Sequence, residues 1–280
     1  MKKIIWISSY PKSGNTWLRF VLSNYFYNIA QNETDLTILD KIDKFPSHKF
    51  LKKMVNENNL KKNPYNICKY WLEVQKQIIN ETSDPFVFLK NHNALVKIDN
   101  YELTNQIFSL AAIYIVRDPR DVLVSYLNFD KTLNKKKTID RLTHKDLYCH
   151  VSNKNFFDVE VLGSWKFNYI SWRDGVKDIP RIIIKYEDLI ENTYKTFEKI
   201  VLFLLGILDK KINTKRLEFS INQASFKRLQ SLENKFGFKE SSNKFFNLGK
   251  SNNWKNILEK KEIMIIENSF KDEMKELNYL

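Results

Sequence analysis

Three groups of residues in this chain have the types and spacing to act on an anion. The first is Lys12-Ser13-Gly14-Asn15-Thr16-Trp17, set between an apolar run and an amphipathic stretch. A turn from a strand into a helix aims free backbone N–H groups and the positive helix end at one spot, and Gly14 lets a ligand approach that backbone closely. Lys12 adds a mobile cation, Ser13, Asn15 and Thr16 add polar donors, and Trp17 offers a flat face to a base. The second group is Arg117-Asp118-Pro119-Arg120-Asp121, followed by Ser125. Arg117 at a strand end can fork two N–H groups toward a phosphate, and the Ser125 hydroxyl can join it from the following helix. The same residues also read as a surface ion pair and an ordinary helix-face serine. The third group is Lys90-Asn91-His92, where an imidazole just beyond a strand can act as a base near neutral pH. A surface or capping histidine is the plainer alternative.

The first group is not the nucleoside triphosphate loop G-x-x-x-x-G-K-[ST], because its leading glycine is missing and Lys12 precedes Gly14 instead of following it. A metal-assisted NTPase or kinase is therefore disfavoured. His144, Cys149 and His150 do not have a recurrent zinc spacing, and no metal site is expected.

Taken in order, these segments resemble the 3′-phosphoadenylyl sulfate (PAPS)-dependent sulfotransferases, especially their soluble cytosolic-type and bacterial members. The motif Y-P-K-S-G-x-T-W matches Tyr10 to Trp17 throughout, and R-[DN]-P-[RK]-D-V-x-V-S-Y matches Arg117 to Tyr126. Tyr186 to Leu189 is similar to the family's Y-E-D-[LM], and Lys90-Asn91-His92 to its K-[TS]-H, with Asn91 in place of the hydroxyl residue. Near the C-terminus, Asn247 to Lys255 resembles R-K-G-x-x-G-x-W-K. There Asn247 and Leu248 replace the two cations, and Asn252 replaces the second glycine. Gln223 to Lys227 resembles the segment that gives the nucleotide pocket a hydroxyl residue and a phenylalanine.

The resemblance implies an α/β chain, a single domain over residues 1–280 with a central parallel β-sheet flanked by helices and a P-loop-like 5′-phosphosulfate-binding strand-loop-helix. It implies sulfuryl transfer from PAPS to a hydroxyl or amine acceptor, leaving 3′,5′-ADP. Lys12, Ser13, Gly14, Asn15 and Thr16 fall at the 5′-phosphosulfate, and Trp17 against the adenine. Arg117 and Ser125 fall at the 3′-phosphate, Tyr186 on the adenine side, and Ser225 and Phe226 in the nucleotide pocket. Gly249 and Lys250 substitute for the missing cations. Because charge-assisted hydrogen bonds are worth about 1.5–3 kcal/mol, their loss implies weaker cofactor binding than in a full-motif member. His92 becomes the general base, Lys12 the group that steadies the leaving oxygen, and Lys90 the group that holds the sulfuryl. A sulfuryl carries less charge than a phosphoryl, so in-line transfer does not in principle require a metal ion.

To bring these residues together, the chain needs strands that end where the motifs begin. Ile4 to Ile7, Phe86 to Leu89, Ala111 to Val116 and Ile182 to Ile184 are short apolar, mostly β-branched runs bounded by polar turns, which predicts buried strands. Thr16 to Ile29, Ile67 to Ile79, Asp121 to Leu127 and Leu189 to Leu205 have helical spacing. Strands alternating with such helices favour a parallel sheet covered on both faces, with His92 leaving the same edge as the other strand-end motifs. Lys41 to Lys62 and Lys131 to Lys145 are rich in Lys and Asn, and read as exposed loops or frayed helices. Trp71, Phe156, Phe157, Trp165, Tyr169 and Trp172 read as core, with an acceptor-pocket lining as the alternative.

Composition narrows the classes. Six glycines in 280 residues argue against Gly-rich dinucleotide loops and flexible linkers. The net charge of +13 suits an anionic partner, but only eight of the 46 basic residues are arginine, and a lysine-biased, solvated surface accounts for most of it. No nucleic-acid partner is expected. Cys68 and Cys149 are too few for a disulfide scaffold, which points to a reducing cytoplasm. The apolar run after Lys3 stops at Ser8, too short for a signal peptide, and Ile200 to Leu208 is too short to span a bilayer. Two competing readings remain: a Mg-dependent nucleotide phosphotransferase, and a non-catalytic anion- or nucleic-acid-binding protein. The acceptor and the oligomeric state are not encoded in these motifs.

Overall fold

An unbroken apolar run is stable as a strand only where both of its faces are covered. Ile4, Ile5, Trp6 and Ile7 meet that condition inside strand β1 (Lys3–Ser9), where all four are buried. The computed structural model describes residues 2–130, 132–151, 155–240, 244–246 and 249–280. Asn247 and Leu248 therefore lie outside the described residues. After β1 come α1 (Asn15–Tyr27), β2 (Asp43–Lys44), α2 (His48–Met54), α3 (Glu57–Lys62), α4 (Trp71–Glu81) and β3 (Phe86–Asn91). A hairpin of β4 (Lys97–Ile98) and β5 (Tyr101–Glu102) precedes β6 (Ser109–Val116), α5 (Pro119–Phe129) and α6 (Lys135–Leu142). A second hairpin, β7 (Cys149–Val151) and β8 (Val159–Val161), leads to α7 (Trp165–Asp174), β9 (Arg181–Lys185) and α8 (Tyr186–Glu191). The remaining helices are α9 (Thr193–Ile207), α10 (Thr214–Gln223), α11 (Phe226–Phe236), α12 (Lys260–Ser269) and α13 (Lys271–Glu276).

The result is an α/β fold with a central sheet of order β2-β3-β1-β6-β9, flanked by helices. The β2–β3, β3–β1 and β1–β6 pairs are parallel. The register sets Ser8 beside Asn91 and Ser9 beside Ile115, so β1, β3 and β6 end at one edge. The chain divides into two compact units, each assembled from three separated stretches.

The first unit comprises Met1–Pro11, Ile42–Ile115 and His144–Ile183. Four of its buried polar side chains pair in a chain. The Trp6 indole donates to Ser109 Oγ at 2.7 Å, which lies 2.8 Å from Thr104 Oγ1, and Thr104 donates to Gln75 Oε1 at 2.6 Å. Pairing of this kind removes the cost of burying them. Trp71, Trp165, Tyr169 and Trp172 are core residues, as expected: Trp165 stacks on Tyr169, and Trp172 on Tyr114.

The second unit comprises Lys12–Lys41, Val116–Thr143 and Ile184–Leu280. Pro119 opens α5, and the Asp118 carboxylate caps it by accepting the Arg120 amide at 2.9 Å. Arg120 also pairs with Asp118 and Glu267, donates to Tyr279 O, and lies 3.9 Å from the Trp254 ring centre, which ties the C-terminal tail to α5.

Three sequence expectations are corrected. Lys41 to Lys62 holds β2, α2 and α3, which bury Phe45, Phe50, Leu51, Val55 and Leu60. Single apolar residues scattered among lysines were enough to anchor short helices, and the Asn56 side chain caps α3 by accepting the Asn58 amide. Within Lys131 to Lys145, α6 forms under an Asn134 cap and buries Ile139 and Leu142; Lys131 lies outside the described residues. The stretch Leu189 to Leu205 is two helices, because Asn192 leaves helical geometry at φ −131° and ψ 50°.

Candidate functional site

In the second unit, the chain enters α1 through backbone that favours small or polar residues: Lys12 has φ +69° and Gly14 has φ +100°. Gly14 occupies the N-cap position and no side chain caps α1, so the positive end of the helix has no side-chain acceptor of its own there. Ser13 is fully buried, and its Oγ has no hydrogen-bond partner among the described residues. A Cβ on Gly14 would fall 2.5 Å from the Tyr186 ring, so the glycine lets that ring close over the turn.

Arg117 joins three of the motif segments. Its guanidinium donates to Lys12 O at 3.1 Å and Lys250 O at 3.3 Å, and lies 4.3 Å from the centre of the Tyr186 ring. Trp17 meets Tyr186 edge-on, with ring centres 6.2 Å apart. Gly249, at φ +56°, repeats the Gly14 device: a Cβ there would strike the Phe226 ring at 2.5 Å. The Lys12 ammonium lies over the rings of Phe129 and Phe245, at 3.6 and 4.5 Å. Asn15 and Thr16 are buried at the start of α1, Ser125 is half-buried on α5, and Ser225 is an exposed residue at the start of α11. Lys12, Ser13, Gly14, Trp17, Arg117, Tyr186, Phe226, Gly249 and Lys250 thus lie in one compact unit.

Asp121 has a part that its motif did not disclose. Its carboxylate accepts the backbone amides of Asn252 at 2.7 Å and Trp254 at 3.1 Å, pinning the segment after Lys250 to α5. Burial raises its pKa against the opposing pull of Arg117 and those amides.

The first unit holds the other candidate groups. His92 Nδ1 is 2.7 Å from Ser9 O and 3.2 Å from Ser9 Oγ. A carbonyl oxygen can only accept, so Nδ1 carries the hydrogen and Nε2 presents its lone pair, the form a base requires. Burial and then the Lys90 ammonium push the His92 pKa down to about 3, against the pull of Glu160, so the ring is neutral near neutral pH. Asn168 donates to His92 O at 3.0 Å and receives the Tyr114 hydroxyl at 2.9 Å, fixing the backbone at this point.

Lys90 faces the carboxylate of Glu160 at 3.5 Å, and Lys44 faces both Glu160 and Asp158, at 3.9 and 3.6 Å. Glu160 is only 3% exposed. Burial alone would raise its pKa, but Lys90 and Lys44, with His92 and His150 behind them, hold it well below the usual carboxylate range. Sequence reading missed Glu160, Lys44, Asp158 and the Ser9 carbonyl. The available signal was a carboxylate between two valines, in Val159-Glu160-Val161.

A sulfotransferase domain model matches residues 2–278. The chain belongs to the sulfotransferase family. Among related sulfotransferases, the rabbit (Oryctolagus cuniculus) amine sulfotransferase is 22% identical over 287 residues, covering 97% of this chain and 81% of the relative. A flavonol 4′-sulfotransferase from Flaveria chlorifolia is 25% identical over 269 residues, covering 90% and 73%. Two solved structures share the fold. A mouse sulfotransferase complexed with PAP has a TM-score of 0.59 at 17% identity, over 97% of this chain and 84% of that one. Retinol dehydratase with androsterone and PAP has a TM-score of 0.62 at 16% identity, over 97% and 80%. Among the described residues of this sulfotransferase, no helix is long and apolar enough to cross a membrane.

Proposed function

We propose that this sulfotransferase takes PAPS as its donor and passes the sulfuryl group to a hydroxyl or amine of a small-molecule or saccharide acceptor. The observation that carries the reading is the Arg117 bridge from Lys12 O to Lys250 O beside an uncapped α1, with Ser13 Oγ buried and Gly14 closed under Tyr186. Those groups suit an adenine nucleotide with phosphates at two ends: donors and cations for the phosphates, Trp17, Tyr186 and Phe226 for the base. The PAP bound in the mouse sulfotransferase and in retinol dehydratase supports the same choice. By name, the relatives act on amines, flavonols and hydroxysteroids, which supports a small acceptor.

In the proposed step, a lone pair of the acceptor heteroatom forms a bond to sulfur as the bond from sulfur to the bridging phosphate oxygen breaks. That electron pair stays on the phosphate of 3′,5′-ADP, where Lys12 steadies it. Lys90 holds the sulfuryl oxygens, and the acceptor proton goes to His92 Nε2. The whole chain, residues 1–280, acts as one sulfotransferase domain; the match across residues 2–278 and the interleaved make-up of the two units support this. A cytoplasmic setting, kinship to bacterial-type members and the absence of a nucleic-acid partner belong to the same proposal, on the cysteine usage and motif set of the chain.

The test is transfer of labelled sulfate from PAPS to a panel of an alcohol, a phenol, an amine and a sugar. His92→Ala is expected to lower transfer by about 100-fold or more while keeping 3′,5′-ADP binding, since general-base catalysis contributes about 10²–10⁴ in rate. Full transfer in that variant would remove His92 as the base.

A further inference from the structure

We propose that Glu160 is a positioning residue for sulfuryl transfer, its carboxylate holding the Lys90 ammonium in place beside His92. The inference rests on the proposed roles of Lys90 and His92. Glu160 lies at the centre of β8, opposite His150 of β7, and is almost wholly buried. Its Oε1 faces Lys90 at 3.5 Å and Lys44 at 3.9 Å without accepting a hydrogen bond from either. Successive side chains of a strand point to opposite faces, so Glu160 turns away from Val159 and Val161 and toward Lys90, Lys44, His92 and His150. Buried ion pairs often add nothing to stability over an apolar replacement.

What the carboxylate does supply is a fixed negative charge for the more buried of two ammonium groups. The Lys90 side chain is 12% exposed and that of Lys44 31%. The charged and titratable groups around the Glu160–Lys90 pair include Lys44 on β2, His92 just beyond β3, His150 on β7, and Asp158 just before β8, which faces Lys44. Remove the Glu160 charge, and Lys90 loses the carboxylate that it faces at 3.5 Å while the Lys44 ammonium stays on the same cluster. An ammonium so placed gives up its proton at lower pH and loses its fixed direction.

The experiment compares Glu160→Gln, Glu160→Asp, Lys90→Met and the double variant Glu160→Gln/Lys90→Met. The assay uses labelled PAPS with the best acceptor of the four-member panel, across a pH series. Glu160→Gln is expected to lower kcat about 10-fold and to move the alkaline limb of kcat to lower pH by about one unit, with 3′,5′-ADP affinity within about two-fold of wild type. Glu160→Asp is expected to restore the limb, and the double variant to be no worse than Lys90→Met alone. A wild-type kcat and pH profile in Glu160→Gln, with Lys90→Met impaired, overturns the Glu160 proposal alone. A further loss in the double variant does the same, since Glu160 would then act by another route. Full kcat in Lys90→Met overturns the assigned role of Lys90 and this inference with it.

Discussion

His92 commits one ring nitrogen to Ser9 O and keeps the other basic, and the burial that achieves this has a measurable consequence for stability. In the folded chain the imidazole titrates at about 3, against an ordinary 6.5. Between those values the unfolded chain binds the additional proton, so stability rises with pH across the window and is lost as pH falls. Glu160, held below the usual carboxylate range, acts in the same direction below about 4.5. Scanning calorimetry from pH 7 to pH 4 should show Tm falling, and His92→Gln should flatten the decline between about pH 6.5 and 4.5. One proton accounts for up to about 1.4 kcal/mol per pH unit. Equal slopes for wild type and variant would contradict a His92 that stays neutral in the folded chain. Gly14→Ala is the second test at this scale. It forces a side chain onto φ +100° and into the Tyr186 ring, and should cost roughly 1–3 kcal/mol and weaken 3′,5′-ADP binding about 10-fold or more in a titration. Lys12, Gly14, Arg117 and His92 stand out in the sequence as candidates because each follows a strand end within a motif. Glu160 does not, since Lys90 and Lys44, the ammonium groups that it faces, are distant in sequence and meet it only through sheet and hairpin register.

At the scale of elements, the parallel sheet followed from continuous apolar runs such as Ile4 to Ile7 and Ala111 to Val116, which have one stable placement. The short helices α2, α3 and α6 escaped because lysine and asparagine fill their exposed faces, leaving too few apolar positions for a period to show. The link between α5 and the segment after Lys250 was also illegible: Asp121 reads as one more acid in a charged motif until its two backbone partners are known. Asp121→Ala should leave the amides of Asn252 and Trp254 without their acceptor. Each such loss costs about 1–3 kcal/mol when buried, less where water reaches the amide. The variant should therefore lose several degrees of Tm and bind 3′,5′-ADP about 10-fold more weakly, because Gly249 and Lys250 would no longer be held. Unchanged affinity would show that this segment contributes nothing to the nucleotide.

Over the whole molecule, the +13 charge resolves into a few placed cations and a solvated remainder. Arg117, Lys12 and Lys250 lie together in the second unit, Lys90 and Lys44 are matched by Glu160 and Asp158 in the first, and pairs such as Lys61 with Glu57 are surface features. Family membership fixes sulfuryl transfer as the class of chemistry, and the acceptor is set by surfaces that no motif describes. The second unit is proposed to hold a nucleotide with phosphates at its 3′ and 5′ ends. The most direct measurement is calorimetric titration of the wild-type chain with 3′,5′-ADP in the presence of EDTA, alongside ATP with Mg²⁺. Saturable one-to-one binding of 3′,5′-ADP without metal is expected, with a stabilisation of about 2.7 kcal/mol once the ligand exceeds its Kd by about 100-fold. Binding of ATP only with Mg²⁺, and none of 3′,5′-ADP, would contradict it.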